Sequence, residues 1–534
     1  MAYVITQRCC NDATCIAECP VDCIRPTPDD PDFAAAEMLY IDPDTCIDCG
    51  ACADSCPVQA IFPEDELTAP LARYRDINAE YFELHPLEPD VNPLAADLRP
   101  PRGSGTLRVA IVGAGPSACY AAQDLLGRGD VHVDMFDRLP TPWGLVRAGV
   151  APDHADTKAV TDSFAAAFRR DNFRFHLNVE VGEHISHEEL LAHHHAVIYA
   201  VGAATDRRLG IPGEDLPGSH SATEFVAWYN GHPEYADREF DLSGERAVII
   251  GNGNVALDVA RILTADPERL ATTDIADHAL EALRHSAVRE VVLLGRRGPA
   301  QAAYTSPEFL ALGHLPGVDV VIDPADLEPS VALKVRLAHE YAQRPATPGN
   351  RRIVFRYLAS PVALTGADRV EALEVTRNRL VPSEAGTVAE PTGATETLAT
   401  GFVLRSIGYR GEPVPALPFD DERGIVPNDR GGVAPRVYVT GWIKRGARGV
   451  IGTNKIDAKE TVDQLVADFI SGALPTPLHD RNALTELVRQ RRPEVVDRDG
   501  WTAIDTAERG AGRAAGRPRV KFTSTAELIR TAER

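Results

Sequence analysis

The sequence predicts an α/β chain built on two dinucleotide-binding folds, the second inserted into the first, behind a small cysteine-rich α+β domain. Three observations predict it. A strand running into a GxGxxA turn occurs twice, at Gly113 and again at Gly251. Nine of the ten cysteines fall within the first 56 residues. A length of 534 residues exceeds what one hydrophobic core supports and divides into about three domains.

Residues 1–66 read as short strands, Tyr3 to Thr6 and Met38 to Ile41, set between cysteine loops. The cysteines keep one register twice: Cys9-x2-Asp12-x2-Cys15-x3-Cys19-Pro20, then Cys46-x2-Cys49-x2-Cys52-x3-Cys56-Pro57. In bacterial two-cluster domains the first three ligands of such a run hold one iron–sulfur cluster and the fourth crosses to the other. By that rule Cys46, Cys49, Cys52 and Cys19 hold a [4Fe-4S] cluster, four soft thiolates for four irons. The other site collects Cys9, Cys15 and Cys56, with Asp12 where a fourth thiolate would stand. A carboxylate suits thiolate-bound iron poorly, so this second cluster is either [3Fe-4S] or an Asp-ligated [4Fe-4S]. The plain alternatives are disulfides or zinc, but a zinc ribbon needs only four thiols with a long gap between pairs. Cys10 and Cys23 fall outside the register and read as packing thiols, Cys10 being close enough to replace Asp12. Cys119 reads as core.

A net charge of −23 argues against nucleic acid as a partner. The charge is uneven: residues 1–66 carry 14 Asp and Glu against only Arg8 and Arg25. This is either a solvated acidic face or a means of steering toward basic patches on a redox partner. No apolar run approaches the roughly 20 residues that span a bilayer, and the N-terminus lacks a basic region followed by an apolar one. A soluble, unexported protein without a membrane partner is expected. The clustered thiols fit a reducing, cytoplasmic location.

Residues 67–106 read as a Pro-rich linker, or extension of the cysteine-rich domain, that partly packs, with a helical interlude from Leu71 to Glu83 and then Pro86, Pro89, Pro93, Pro100 and Pro101. Such density disfavours regular structure and gives a semi-rigid spacer. From Leu107 an apolar strand feeds Gly113-x-Gly115-x-x-Ala118 and a helix, Cys119 to Leu126. A second strand, Val131 to Phe136, ends in Asp137. Glycines let the backbone approach a pyrophosphate at the helix N-terminus, and the acid bonds a ribose hydroxyl, so this is a Rossmann-like fold.

The pattern recurs at Ala247 to Ile250, Gly251, Gly253 and Ala256, with a helix from Leu257 to Leu263. Its later strand, Val291 to Leu294, runs into Gly295-Arg296-Arg297 in place of an acid, and the long gap before it implies an insertion near Pro267 to Ser286. Arginine there has the fork geometry to clamp a 2′-phosphate, which favours NADP over NAD. The strand Ala196 to Val201 closes the first half, and Val437 to Trp442, Gly449 to Gly452 and a helix from Ile456 to Phe469 suit its return. The expected units are therefore 107–212 with 400–472, 213–399 inserted, and an extension, 473–534. The extension has a helical pattern, Trp501 and a basic stretch near Arg509 to Arg519 that either folds onto the acidic domain or is simply an appendage.

Four motifs carry a resemblance: Thr141-Pro-Trp-Gly-Leu-Val-Arg147 with Gly149 to His154, Gly251 to Arg261, Gly295 to Pro299 with Glu308, and Gly441 to Gly446 with Gly449-Val-Ile451. Through them Leu107 to about Gly472 resembles adrenodoxin-reductase-type ferredoxin–NADP reductases, and the whole chain their actinobacterial form with a fused bacterial-type ferredoxin. The resemblance implies FAD in the first fold, contacted by Ser117, Asp137, Leu145, Val181, Trp442, Gly449, Val450 and Ile451. It implies NADP(H) in the second, contacted by Asn252, Gly253, Asn254, Val255, Arg296, Arg297 and Glu308, with Gly449 shared. His154 and Glu308 match positions at the flavin–nicotinamide junction and form the expected catalytic pair. Residues 1 to about 90 resemble seven-iron ferredoxins, although the shorter gap between the first two ligand cysteines is one seen in Asp-ligated cubanes.

The implied activity is transfer of electrons from NADPH through FAD to the clusters, and on to a one-electron acceptor such as a ferredoxin or cytochrome P450. The same parts can run in reverse. A glutamate-synthase-like electron-input subunit is the nearest competitor, disfavoured by Trp143 to Arg147; a non-catalytic redox sensor or carrier is another. A disulfide reductase is disfavoured because Cys119 is the sole cysteine after Cys56.

Overall fold

The computed structural model describes residues 2–87, 98–101, 103–383 and 386–533. Pro89 and Pro93 of the expected spacer lie outside these residues.

The N-terminal domain is built from β1 (Tyr3–Ile5), α1 (Thr14–Glu18), β2 (Ile24–Arg25), β3 (Tyr40–Ile41), α2 (Ala51–Ser55), β4 (Ile61–Pro63) and α3 (Arg73–Leu84). Strands β1 and β4 pair antiparallel, with Ile5 opposite Ile61, as do β2 and β3. Helix α3 buries Tyr74, Ile77, Asn78 and Phe82, one stripe at helical spacing. Asn78 donates from Nδ2 to the Ile5 carbonyl at 2.9 Å and accepts from the Ile41 N–H at 2.9 Å, so its amide stitches β1 to β3. The first part of the expected linker is thus a packed element of the cysteine-rich domain. The helix matches the interlude expected from Leu71 to Glu83.

The first fold contributes β5 (Leu107–Val112), α4 (Pro116–Gly127), β6 (Val131–Asp137), α5 (Leu145–Ala148), α6 (Ala155–Lys158), α7 (Val160–Ala167), β7 (Phe173–Leu177), α8 (His187–His193) and β8 (Ala196–Tyr199). After β9 (Thr205–Asp206), the second supplies β10 (Ser219–Ser221), α9 (Ala222–Tyr229), β11 (Arg246–Ile250), α10 (Asn254–Thr264), α11 (Pro267–Leu270), α12 (Asp277–Arg284), β12 (Glu290–Leu294), α13 (Ser306–Leu312), β13 (Val318–Ile322), α14 (Leu333–Gln343) and β14 (Arg351–Arg356). Helices α11 and α12 fill the stretch expected to be an insertion. A projecting antiparallel sheet, β15 (Ala359–Thr365), β16 (Ala372–Ser383) and β17 (Gly386–Ala399), precedes β18 (Phe402–Arg405). The chain returns through β19 (Tyr409–Arg410), β20 (Gly432–Ala434), β21 (Val437–Val439), α15 (Trp442–Arg445) and α16 (Thr453–Ile470), and ends in α17 (Arg481–Arg491), α18 (Arg498–Ala514) and α19 (Thr525–Ala532).

Among the described residues the first sheet has the order β20-β21-β8-β5-β6-β7 and the second β10-β18-β11-β12-β14-β13. The central strands read as unbroken apolar runs because both faces are covered by helices. Strand β18 corrects the expected boundary at residue 400: it pairs parallel with β11 and β10 in the second sheet, so the return to the first fold follows it. The β9–β19 pair bridges the two folds.

The extension seats on the first fold, in place of the acidic domain considered above. Arg481 Nε meets Asp134 Oδ2 at 2.9 Å, in a cluster with His176 and His194. Trp501 packs edge-on against Trp143 at 6.1 Å. Glu508, fully buried, accepts two bonds from Arg147, at 2.5 and 2.8 Å, and one from Arg519 at 2.8 Å. Carboxylates take up the basic stretch: Arg509 and Arg519 pair with Asp505 on α18, and Arg517 with Asp277 on α12 of the second fold.

Candidate functional site

At the first GxGxxA turn Gly113 has φ 106°, and a Cβ there would overlap the carbonyl of Ala200 at the end of β8. Asp137 Oδ2 accepts from the Ala114 N–H at 2.7 Å and Oδ1 from the Leu139 N–H at 2.9 Å, so the acid braces the turn. Burial raises its pKa. The Trp143 N–H donates to the Ala114 carbonyl at 2.8 Å, which lays the Trp143-Gly144-Leu145 segment against the turn, where a Cβ on Gly144 would come within 2.8 Å of Gly115 Cα. Ser117, in the first turn of α4 with buried Ala118 behind it, has Oγ 3.0 Å from Thr440 Oγ1. The next residue, Gly441 (φ 80°), leads into Trp442. Val179 N–H donates to the Asp137 carbonyl at 2.8 Å, which brings Val181 to the same strand end. Gly449, Val450 and Ile451 form the turn into α16, fixed by Val450 N–H to Thr453 Oγ1 at 3.1 Å. Gly113–Ala118, Trp143–Leu145 and Thr440–Trp442 therefore converge at the N-terminus of α4. Helix N-terminal N–H groups and the open space beside Gly115, which has no atom within 4 Å of a Cβ, fit a pyrophosphate.

The second turn repeats this. Gly251 has φ 124°, and a Cβ would overlap the Ser406 carbonyl beyond β18. Tyr304 N–H donates to the Asn252 carbonyl at 2.9 Å. Gly253 caps α10, Asn254 Oδ1 accepts from Thr305 N–H at 2.8 Å, and Val255 follows in the first turn. Beyond β12, a Cβ on Gly295 would lie 2.6 Å from Asn252 Nδ2, so the amide occupies the space that a longer side chain would need. Arg296 is exposed and Arg297 half-exposed. Their carbonyls are held by Asn378 and Leu358, and among the described residues neither guanidinium is paired with a carboxylate. Two free cationic forks at a strand end fit a phosphate.

Between the folds His154 Nε2 stands 3.9 Å from Glu308 Oε2. Arg261 on α10 reaches across with two bonds to Asp153, at 2.6 and 3.1 Å, and lies 3.7 Å from Glu308. Burial raises the Glu308 pKa, only partly offset by His154 and Arg261. His154, Asp258 and Glu308 bring ligand-type atoms within 4.8 Å of one another.

The cysteines separate into two pockets. One, the outer, is lined by Cys19, Cys46, Cys49 and Cys52, with Cys23 beside them. The other, the inner, is lined by Cys9, Asp12, Cys15 and Cys56, with Cys10. All of these cysteines are free thiols. Soft sulfur donors converging in two groups fit two clusters. Burial pushes Cys9 up to about 11 and raises Cys10 and Cys15 well above an ordinary thiol, so ligation at neutral pH must release protons. In the outer pocket a hydrogen bond from Cys23 brings Cys19 down to about 6.

Surroundings distinguish the pockets. The outer one opens to solvent: Cys49 is exposed and Ile47 is 58% exposed. The inner one faces the first fold, where the Gly452 N–H donates to the Cys10 carbonyl at 2.7 Å and Lys455 Nζ meets Asp12 Oδ2 at 3.1 Å. The cysteine-rich domain also holds the second fold, through Glu37 to Ser306 N–H (2.7 Å) and Lys334 (2.6 Å), and through Arg73 to Glu340 at 2.7 and 2.8 Å.

Comparison with known proteins places these parts. Residues 39–62 match a 4Fe-4S binding domain, and residues 107–293 match the pyridine nucleotide-disulphide oxidoreductase family. A probable ferredoxin/ferredoxin–NADP reductase of Mycobacterium tuberculosis is 50% identical over all of this chain and 95% of its own length. The chain belongs to the fused ferredoxin/ferredoxin–NADP reductases. The NADPH-ferredoxin reductase FprA of M. tuberculosis is 50% identical over 79% of this chain and 98% of its own. Its solved structure, in complex with NADPH, has a TM-score of 0.78 and covers 80% of this chain and 100% of its own. The mitochondrial NADPH:adrenodoxin oxidoreductase of Arabidopsis thaliana is 39% identical over 80% of this chain and 96% of its own.

Within this reductase three features escaped sequence reasoning: Lys455 beside Asp12, the Cys10–Gly452 contact, and Arg261 bridging the folds. Each joins residues far apart in sequence, and only Arg261, inside the Gly251 to Arg261 motif, carried a local signal. Among the described residues no helix is long and apolar enough to cross a membrane.

Proposed function

We propose that this ferredoxin–NADP reductase oxidises NADPH, passes the electrons through FAD to the iron–sulfur sites of its own ferredoxin, and delivers them singly to an acceptor protein. The observation that carries the reading is the seat of the inner pocket on the turn into α16, where Gly452 N–H bonds the Cys10 carbonyl at 2.7 Å. FAD, when bound, converts a two-electron hydride into single electrons.

The chain's residues arrange the rest. Gly113 to Ala118, Asp137, Leu145, Val181, Trp442 and Gly449 to Ile451 hold FAD. Asn252 to Val255 hold NADPH, with Arg296 and Arg297 on its 2′-phosphate. The Arg261–Asp153 bonds fix the spacing of the two folds, and with it the approach of His154 to Glu308. The raised Glu308 pKa lets that carboxyl keep a proton at a pH where an exposed one has lost it. The inner pocket receives electrons from the reductase, and the outer one, open at Ile47 and Cys49, delivers them. The acidic balance of residues 1–66 favours an acceptor with a basic docking face, of the ferredoxin or cytochrome P450 type.

Anaerobic stopped-flow mixing with NADPH tests this. Flavin absorbance should bleach within seconds, followed by loss of iron–sulfur absorbance and reduction of added cytochrome c. Bound NADPH without bleaching would leave a carrier and defeat the proposal.

A further inference from the structure

Asp12 does not face the inner pocket unencumbered. Its Oδ1 accepts from the Thr14 N–H at 3.0 Å and from the Thr14 hydroxyl. Its Oδ2 accepts from Lys455 Nζ at 3.1 Å, and the same ammonium donates to Thr14 Oγ1 at 2.7 Å. Asp12, Thr14 and Lys455 thus form a closed ring in which both carboxylate oxygens are engaged. Lys455 belongs to the reductase, in the first turn of α16. The approach is close because Gly452 has no side chain: a Cβ there would overlap Asp12 N and the Cys10 carbonyl. Asp12 itself is 8% exposed, so little water competes for it.

We propose that Lys455 is a positioning residue that sets the iron content of the inner site. By holding the Asp12 carboxylate in an ion pair it withholds the fourth ligand, and Cys9, Cys15 and Cys56 carry a [3Fe-4S] cluster. Charge-assisted bonds to a half-buried ammonium outlast those to water, and a hard carboxylate gains little from soft, thiolate-bound iron. Conversion to four irons needs one electron, one Fe2+ and an Asp12 oxygen–iron bond, with loss of the Lys455 pair. No proton moves. The inference rests on the reading of this pocket as an iron–sulfur site.

The test uses the full-length holoprotein, isolated anaerobically as wild type, Lys455→Met and Lys455→Arg, with iron and FAD assayed and low-temperature EPR recorded. Each is then reduced with dithionite, given Fe2+ and desalted. Wild type should contain about seven irons per FAD with an oxidised three-iron signal, and keep both through the treatment. Lys455→Met should gain about one iron per FAD and lose the three-iron signal, while Lys455→Arg, which keeps a cation there, should behave as wild type. NADPH should bleach the flavin at the same rate in all three, which shows that the reductase is folded. Asp12→Cys should take up the fourth iron whatever stands at 455. Eight irons in wild type, or a Lys455→Met signal as resistant to Fe2+ as wild type, would overturn the role of Lys455 alone. About four irons per FAD in wild type would overturn the ligand assignment and the proposal with it.

Discussion

The two dinucleotide-binding folds share one piece of backbone geometry and finish it differently. Gly113 and Gly251 both have positive φ and press against the carbonyl that follows a neighbouring strand, of Ala200 and Ser406. The residue after each glycine, Ala114 or Asn252, has its carbonyl bonded by an incoming aromatic residue, Trp143 or Tyr304, at 2.8 and 2.9 Å. Beyond that the roles exchange. In the first fold the side chain comes from the strand end, as Asp137 reaches back to the turn; in the second it comes from the turn, as Asn252 extends toward Gly295. The turn is therefore a common mount, and the strand ends differ in what they suit: a carboxylate, of the kind that bonds a ribose, in the first fold, and two arginines, of the kind that bond a phosphate, in the second.

Valine at the two glycines should break the comparison most sharply. Gly113→Val should purify without flavin absorbance. Gly251→Val should keep FAD yet bleach with NADPH at least about 100-fold more slowly, the equivalent of about 3 kcal/mol. Loss of FAD from Gly251→Val would mean that the two mounts are not independent. The second difference is that α17 to α19 brace the first fold through Arg147 and Glu508. Removing a buried charge partner costs about 3–5 kcal/mol, so Glu508→Ala should lower the denaturation midpoint and weaken FAD retention. Burial alone would raise the Glu508 pKa, but Arg147 and Arg519 hold it below the ordinary carboxylate value of about 4.3. Its contribution is thus present above that value and lost as pH falls toward the depressed one, and the Ala variant should lose part of the acid-side slope. The smallest effect sharpens the strand-end rule: Arg296→Ala should cut kcat/KM for NADPH about 10- to 100-fold, or roughly 1.4–3 kcal/mol, and leave NADH unchanged. Equal losses with both nucleotides would remove the arginines from phosphate recognition.

Local patterns carried most of this architecture. The apolar runs before Gly113 and Gly251 fixed both mounts, because a doubly buried parallel strand leaves no polar alternation to misread. The cysteine register likewise anticipated the membership of the two pockets. The misses share a cause. Strand β18, Phe402–Arg405, could have entered either sheet, since a central strand reads alike in both. The helix expected around Leu71 to Glu83 is present, but its seat on β1 and β3 through Asn78 joins residues more than 35 positions apart and has no local signal. The extension's basic stretch reads as available to the acidic domain because nothing nearby in sequence shows that Glu508 is enclosed between Arg147 and Arg519.

The Cys10–Gly452 contact also carries a consequence in time. The inner-site cysteines are synthesised well before the segment that covers them, with more than 390 residues between Cys56 and Gly452. At ribosomal speeds of about 5–20 residues per second that delay is roughly 20–80 s. For that interval the inner pocket lacks its cover, whereas the outer pocket remains open in the finished chain. Assembly of the inner site, read as an iron–sulfur centre, thus has a window set by translation, before the reductase covers it.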